Sequence, residues 1–149
     1  MRKSDWIALL IIALIIVVGL AIYFTFFFYY TCNDLECYRA HQRDCVRTKF
    51  ISDGVETTWQ YLVKGKDSGK CVINVKVLKI KQGTLDKQRL VNKAMDCSVL
   101  LGSIVEPESD LAVCHGELKE EMQNIIIQKL HAYIVENLGE IGKELEKAI

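Results

Sequence analysis

Residues 6–30 read WIALLIIALIIVVGLAIYFTFFFYY, a stretch without a charged side chain. Coiled as a helix at ~1.5 Å per residue, it is about 38 Å long and exceeds a ~30 Å hydrocarbon core, so the sequence predicts a transmembrane helix over 6–30. Upstream, residues 1–5 form a short polar tail carrying Arg2 and Lys3. Positive flanks stay on the inner side, which makes the segment a signal-anchor with a cytoplasmic tail at 1–5 and a domain outside at 31–149. Arg39, Arg43, Arg47 and Lys49 beyond the other end oppose this orientation, but long domains cross largely regardless of charge. The aromatic end, Phe26 to Tyr30, fits the headgroup level. The expected location is therefore the cell membrane, single-pass, with the lipid bilayer as partner through residues 6–30. A signal peptide cut near Gly19-Leu20-Ala21 is disfavoured because the apolar run continues to Tyr30. A pilin-like subunit processed near Lys3-Ser4-Asp5 is the other alternative.

Charge narrows the partner little, since 19 basic residues balance 19 acidic ones. Its distribution is uneven. Lys64 to Lys93 is basic, with Lys76, Lys79, Lys81 and Lys87 among its members, and Glu106 to Glu121 is acidic. Solvated faces of a sheet and a helix account for this, and the sharper reading is attraction to an anionic surface or between copies. No nucleic-acid partner is expected of a domain placed outside the cell.

The outer segment patterns as α+β. Asn33-Asp-Leu-Glu36 has the residue types of a helix start with Asn33 as cap, and a helix is expected over 34–47. At 100° per residue its one half gathers Leu35, Cys37, Tyr38, His41, Cys45 and Val46. Val55–Val63 and Cys71–Ile80 alternate as two strands of a hairpin around the turn-rich 64–70, with Trp59, Tyr61 and Val63 facing Cys71, Ile73, Val75 and Val77. Leu85–Ala94 is a short helix or an irregular crossing. Met95, Cys97, Val99 and Leu101 mark a further strand, and Leu111–Cys114 a short return after a turn at Pro107. From Glu117 to about Lys147, Leu118, Met122, Ile125, Ile126, Leu130, Tyr133, Ile134, Leu138, Ile141 and Leu145 recur at helical spacing. Gly139 and Gly142 weaken the end of that helix. It outreaches a domain of this size, so part of its stripe is expected to meet a protein partner or another copy. The predicted fold is thus α+β: a transmembrane helix, a small antiparallel sheet, a short cysteine-bearing helix and a long C-terminal helix.

Six cysteines, Cys32, Cys37, Cys45, Cys71, Cys97 and Cys114, are the disulfide candidates. Within one helix Cys37 and Cys45 stand about 12 Å apart along the axis, too far to pair with each other. Each therefore seeks another element, and the expectation is Cys37 or Cys45 joined to Cys71 or Cys97. Reduced, buried thiols in an intracellular domain are the alternative.

No Cys-x-x-Cys occurs, and the spacing Cys32-x4-Cys37-x7-Cys45 matches no zinc module. His41, His115 and His131 read as isolated side chains rather than ligands. Neighbours Cys114 and His115 point to opposite faces of a strand, which removes a nucleophile and base pair. Phosphate-binding glycine loops, serine elbows and paired carboxylates are missing from the sequence. Catalytic, metal and cofactor residues are accordingly none, and the chain is not expected to be an enzyme. The cysteine pattern, with Trp59-x-Tyr61, Cys71-x-Ile73-x-Val75, Met95-x-Cys97, Cys114-x-Gly116-x-Leu118 and the run IIIQKLHAYIVENLGEI, resembles a group of small membrane-anchored archaeal proteins of unknown function. That resemblance implies no activity. The expected function is a binding or structural module that meets protein partners or itself, with a filament subunit or an envelope enzyme as alternatives.

Overall fold

A computed structural model describes residues 3–148, and the side chains of residues 6, 9–25 and 28–138. The chain divides into two compact units, Met1–Tyr30 and Thr31–Ile149.

The first unit is helix α1 (Lys3–Phe27). Its described side chains, apolar apart from Thr25, are exposed around the whole circumference, as Leu10, Ile11, Ile12 and Leu20 show. The expected membrane span over 6–30 is corrected in two respects. The helix ends at Phe27, and Tyr30 already belongs to strand β1 (Tyr30–Cys32). Among the described residues, no helix is long and apolar enough to cross a membrane. The expected single-pass location is corrected with the span. Arg2 and the side chains of Lys3, Phe26 and Phe27 lie outside the described residues.

The second unit is α+β, built on a six-stranded sheet and a C-terminal helix. After β1 come α2 (Leu35–Asp44), β2 (Thr48–Asp53), β3 (Thr57–Asp67), β4 (Lys70–Ile80), α3 (Leu85–Gln88), β5 (Ala94–Leu100), β6 (Cys114–His115) and α4 (Glu117–Ala148). The strands lie in sequence order, β1-β2-β3-β4-β5-β6, and the pairs from β2 to β6 are antiparallel. This is the pattern that short connections produce, because adjacent antiparallel strands need no crossover. The β3–β4 hairpin turns on Ser68 and Gly69, both at positive φ (48° and 77°), so Lys64–Asp67 belongs to a strand and not to the expected longer loop.

Register sets one buried face. Phe50 opposes Tyr61, Tyr61 opposes Val75 and Val75 opposes Met95; Val63 opposes Ile73, which opposes Cys97. Val63, Cys71, Ile73, Val75, Val77 and Cys97 are fully buried. Full burial of a Val or Ile side chain contributes about 1.5–3 kcal/mol, so this face carries most of the unit's stability. The register slips at Thr58/Trp59, which admits an extra residue on β4 and turns Ile80 inward after Val77. The opposite face is polar: Lys64 reaches Asp96 at 2.8 Å, and Asn74 donates to Asp96 at 2.7 Å. Part of the basic segment therefore lies on an uncovered sheet face.

Three elements differ from their sequence reading. Helix α2 is capped by Asp34, whose Oδ1 accepts from Cys37 N–H at 2.7 Å, one residue later than expected. It stops at Asp44 instead of 47 because Cys45 turns left-handed at φ 54°, and the N–H groups of Cys45 and Val46 bond back to Gln42 and His41. That early stop releases β2, a strand the sequence reading lacks. Leu111–Val113 is a 3₁₀ turn, leaving only Cys114–His115 as strand, since Asp110 accepts from Ala112 N–H and curls the chain there.

Gly116 fixes where α4 leaves the sheet. It sits at φ 124°, and a Cβ there would lie 2.9 Å from the Ala94 carbonyl oxygen and 3.1 Å from Met95 Cα. Both obstacles are backbone and cannot swing aside. Gly116→Ala is expected to destabilise the domain by about 2 kcal/mol or more through the strained φ and the clash. Urea unfolding monitored by circular dichroism measures it, and an unchanged midpoint contradicts this account of the α4 start.

Candidate functional site

Helix α4 begins buried and is bare over 126–136. Leu118 packs fully inside against β5 and β6, and Met122 and Ile125 are half-buried. Beyond them Ile126, Ile127, Leu130, Tyr133, Ile134 and Leu138 are exposed, from 43 % at Ile134 to 62 % at Tyr133. At 100° per residue these six fall within an arc of about 140° that continues the buried stripe around the helix. Ile141 and Leu145, which the sequence adds to the stripe, lie outside the described side chains.

Where the buried and bare halves meet there is an apolar groove of about 470 Å³. The sheet supplies Thr57, Trp59, Val77 and Ile80, the α3 segment supplies Leu90, and α4 supplies Met122, Ile125 and Ile126. Lys87 and Glu56, paired at 3.2 Å, stand on its rim. Such an exposed pair adds little stability. A second pair, Lys93 with Glu121 at 2.8 Å, pins the first turns of α4 to the chain before β5. The groove can take an apolar side chain or a helix face. It offers no cluster of titratable groups for catalysis.

A second cleft, about 540 Å³, opens between α2 and the loop preceding β6. Tyr38 stacks on Phe50 with centroids 5.1 Å apart and meets Tyr61 at 5.3 Å. Tyr61 donates its hydroxyl hydrogen to the Glu108 carboxylate, and Gln42 donates to the Val105 carbonyl at 2.6 Å. Burial pushes the Glu108 carboxyl up from its usual range, partly offset by the Tyr61 hydrogen bond. Burial also drives the Tyr38 and Tyr61 hydroxyls far above the ordinary tyrosine value, with the Glu108 charge acting in the same direction. Both stay neutral at physiological pH. Tyr38 Oη and Glu108 Oε2 are buried without a hydrogen-bond partner among the described residues. The cluster clamps the loop over the sheet.

The six candidate cysteines form three disulfides. Cys45–Cys71 joins the end of α2 to β4, within the set of pairs the sequence suggests. Cys97, the other sheet candidate, instead bonds Cys114, its direct register partner across β5 and β6. Cys37 bonds Cys32. Beside that bond lies His41, its Nδ1 3.7 Å from each sulfur. Cys32, Cys37 and His41 are the group of metal-ligating residues found among the described residues. With both sulfurs tied in one disulfide, no thiolate remains, and a metal would find only the imidazole. His115 is exposed on β6 while Cys114 is buried, so the two diverge as strand neighbours do. His131 is exposed on α4.

The grouping of Cys32, Cys37 and His41 is what the sequence reading missed. Cys37 and His41 are four apart on one helix face, which the periodicity already indicated; the arrival of Cys32 was the missing element. Comparison with protein-family models, with curated proteins and with solved structures returned no match.

The buried carboxyl gives a pH dependence with a defined sign. Its folded value lies above the unfolded glutamate value of ~4.3, so the protonated form is favoured by folding and its stabilising contribution is present below that pH. The contribution is lost as pH rises through the raised folded value. Glu108→Gln retains an acceptor for Tyr61 and cannot ionise. Compared with the variant, the natural chain is expected to lose stability as pH rises from about 4.3 through the raised folded value. Urea midpoints of both proteins across that range give the answer, and parallel curves contradict it.

Proposed function

We propose that the domain is a protein-interaction module that pairs with a second copy of itself through the apolar face of α4. The observation that carries this is the exposed stripe Ile126, Ile127, Leu130, Tyr133, Ile134 and Leu138, which runs directly into the groove at Trp59 and Ile125. Contiguous apolar surface of this kind is costly to leave in water and marks an interaction site. A second copy is the occupant that fits, because one patch holds both a protruding helix stripe and an apolar recess. Two such patches related by a two-fold axis cover each other, with the far half of each α4 over the groove of its partner.

A benzophenone side chain installed at Tyr133 of the full-length chain reads this face directly. Irradiation is expected to join two copies, with the adduct mapped to α4 or to the groove residues of the other copy. Adding Leu130→Lys and Ile134→Lys is expected to reduce that product at least about tenfold, since two buried unpaired ammonium groups oppose the contact. Absence of the inter-copy adduct, or its survival in the lysine variant, overturns the pairing.

A further inference from the structure

We propose that Cys32–Cys37 is a redox-active disulfide that exchanges with thiol compounds, in contrast to the two structural disulfides of the same domain. Three features converge on it. Cys32 and Cys37 are separated by five positions in sequence, so opening their bond releases only the short segment between β1 and α2. Cys37 lies in the first turn of α2, where its side chain is only half-buried. His41 Nδ1 lies 2.8 Å from the Cys37 carbonyl oxygen, which can only accept, so this nitrogen carries the hydrogen. The same N–H stands 3.7 Å from both sulfurs.

The accessibility of the two sulfurs sets the order of events. Cys32 is buried, whereas Cys37 is half-buried. A thiolate of an incoming dithiol attacks Cys37 Sγ, forming a new sulfur–sulfur bond as the Cys37–Cys32 bond breaks. The bonding pair leaves on Cys32 Sγ, a thiolate that the His41 Nδ1–H can hold and that takes a proton from solvent to become a thiol. The second thiolate of the dithiol attacks its own sulfur in the mixed disulfide and expels Cys37 as a thiolate, which takes a proton from solvent. The dithiol ends oxidised to its disulfide and the protein ends with two thiols. A stabilised leaving thiolate speeds the first step. By contrast, both sulfurs of Cys45–Cys71 and Cys97–Cys114 belong to buried residues.

The test uses the native full-length chain with dithiothreitol for rates and glutathione for the site of attack, each trapped by alkylation and read by peptide mass spectrometry. Cys32–Cys37 is expected to open at least about tenfold faster than either other bond, and the glutathione adduct to fall on Cys37. Exposure alone would explain a fast reduction, so His41→Gln supplies the second readout: reduction of Cys32–Cys37 slows several-fold while Cys45–Cys71 keeps its rate. An adduct on Cys32, equal reduction of all three bonds, or an unchanged rate in His41→Gln each overturns the proposal. The adduct position is read on the natural chain and stands whether or not the variant folds.

Discussion

The inward side chains of β4, Cys71, Ile73, Val75 and Val77, are fully buried, while one face of the sheet they belong to is left to solvent. All their cover must therefore come from the other side. Helix α2, the loop through Pro107 and the first turns of α4 provide it, with Tyr38, Glu108 and Leu118 as the groups that reach in. A sheet covered on one face has half the apolar area of a sandwich from which to draw stability. Cross-links compensate for what area does not supply.

The disulfides stand where those covering pieces meet the sheet. Cys45–Cys71 clips the C-terminal end of α2 to the central strand, and it does so from a left-handed residue that ends the helix. By restricting a 26-residue separation in the unfolded chain, such a link contributes about 3.5 kcal/mol. Cys97–Cys114 fixes the two-residue strand β6, and Gly116 then launches α4 at a set angle. The first half of α4 is thereby committed to the core. Its second half is committed to nothing within the described residues of its own unit, and this imbalance is the origin of the proposed pairing surface. Three disulfides are characteristic of oxidising surroundings.

Alternation and helical spacing made the interior legible. The faces assigned to Trp59–Val63, Cys71–Val77 and Met95–Val99 are the buried ones, because a half-covered sheet writes its register into every second residue. Boundaries were less legible where one side chain decides them. Asp34 caps in place of Asn33, and Cys45 adopts a left-handed conformation that no periodicity reveals. Strand β2 was hidden because Ile51 interrupts the polar side of its alternation, Thr48 and Ser52 dilute its apolar side, and the expected helix overlapped its approach. At the N-terminus, composition alone predicted a span that the described part of α1 does not sustain, and Tyr30 leaves the helix for the sheet. The Cys32–Cys37–His41 grouping required a long-range fact, the position of Cys32 beside α2, that sequence spacing does not encode.

Hydrogen exchange at several protein concentrations addresses the central claim that α4 is half core and half interface. Amides of β3, β4 and β5 and of α4 near Leu118 should show protection independent of concentration, because they open only with the fold itself. Amides from Ile127 to Leu138 should gain protection as concentration rises, in step with covering by a second copy. Protection of that stretch that is the same at every concentration would contradict the account.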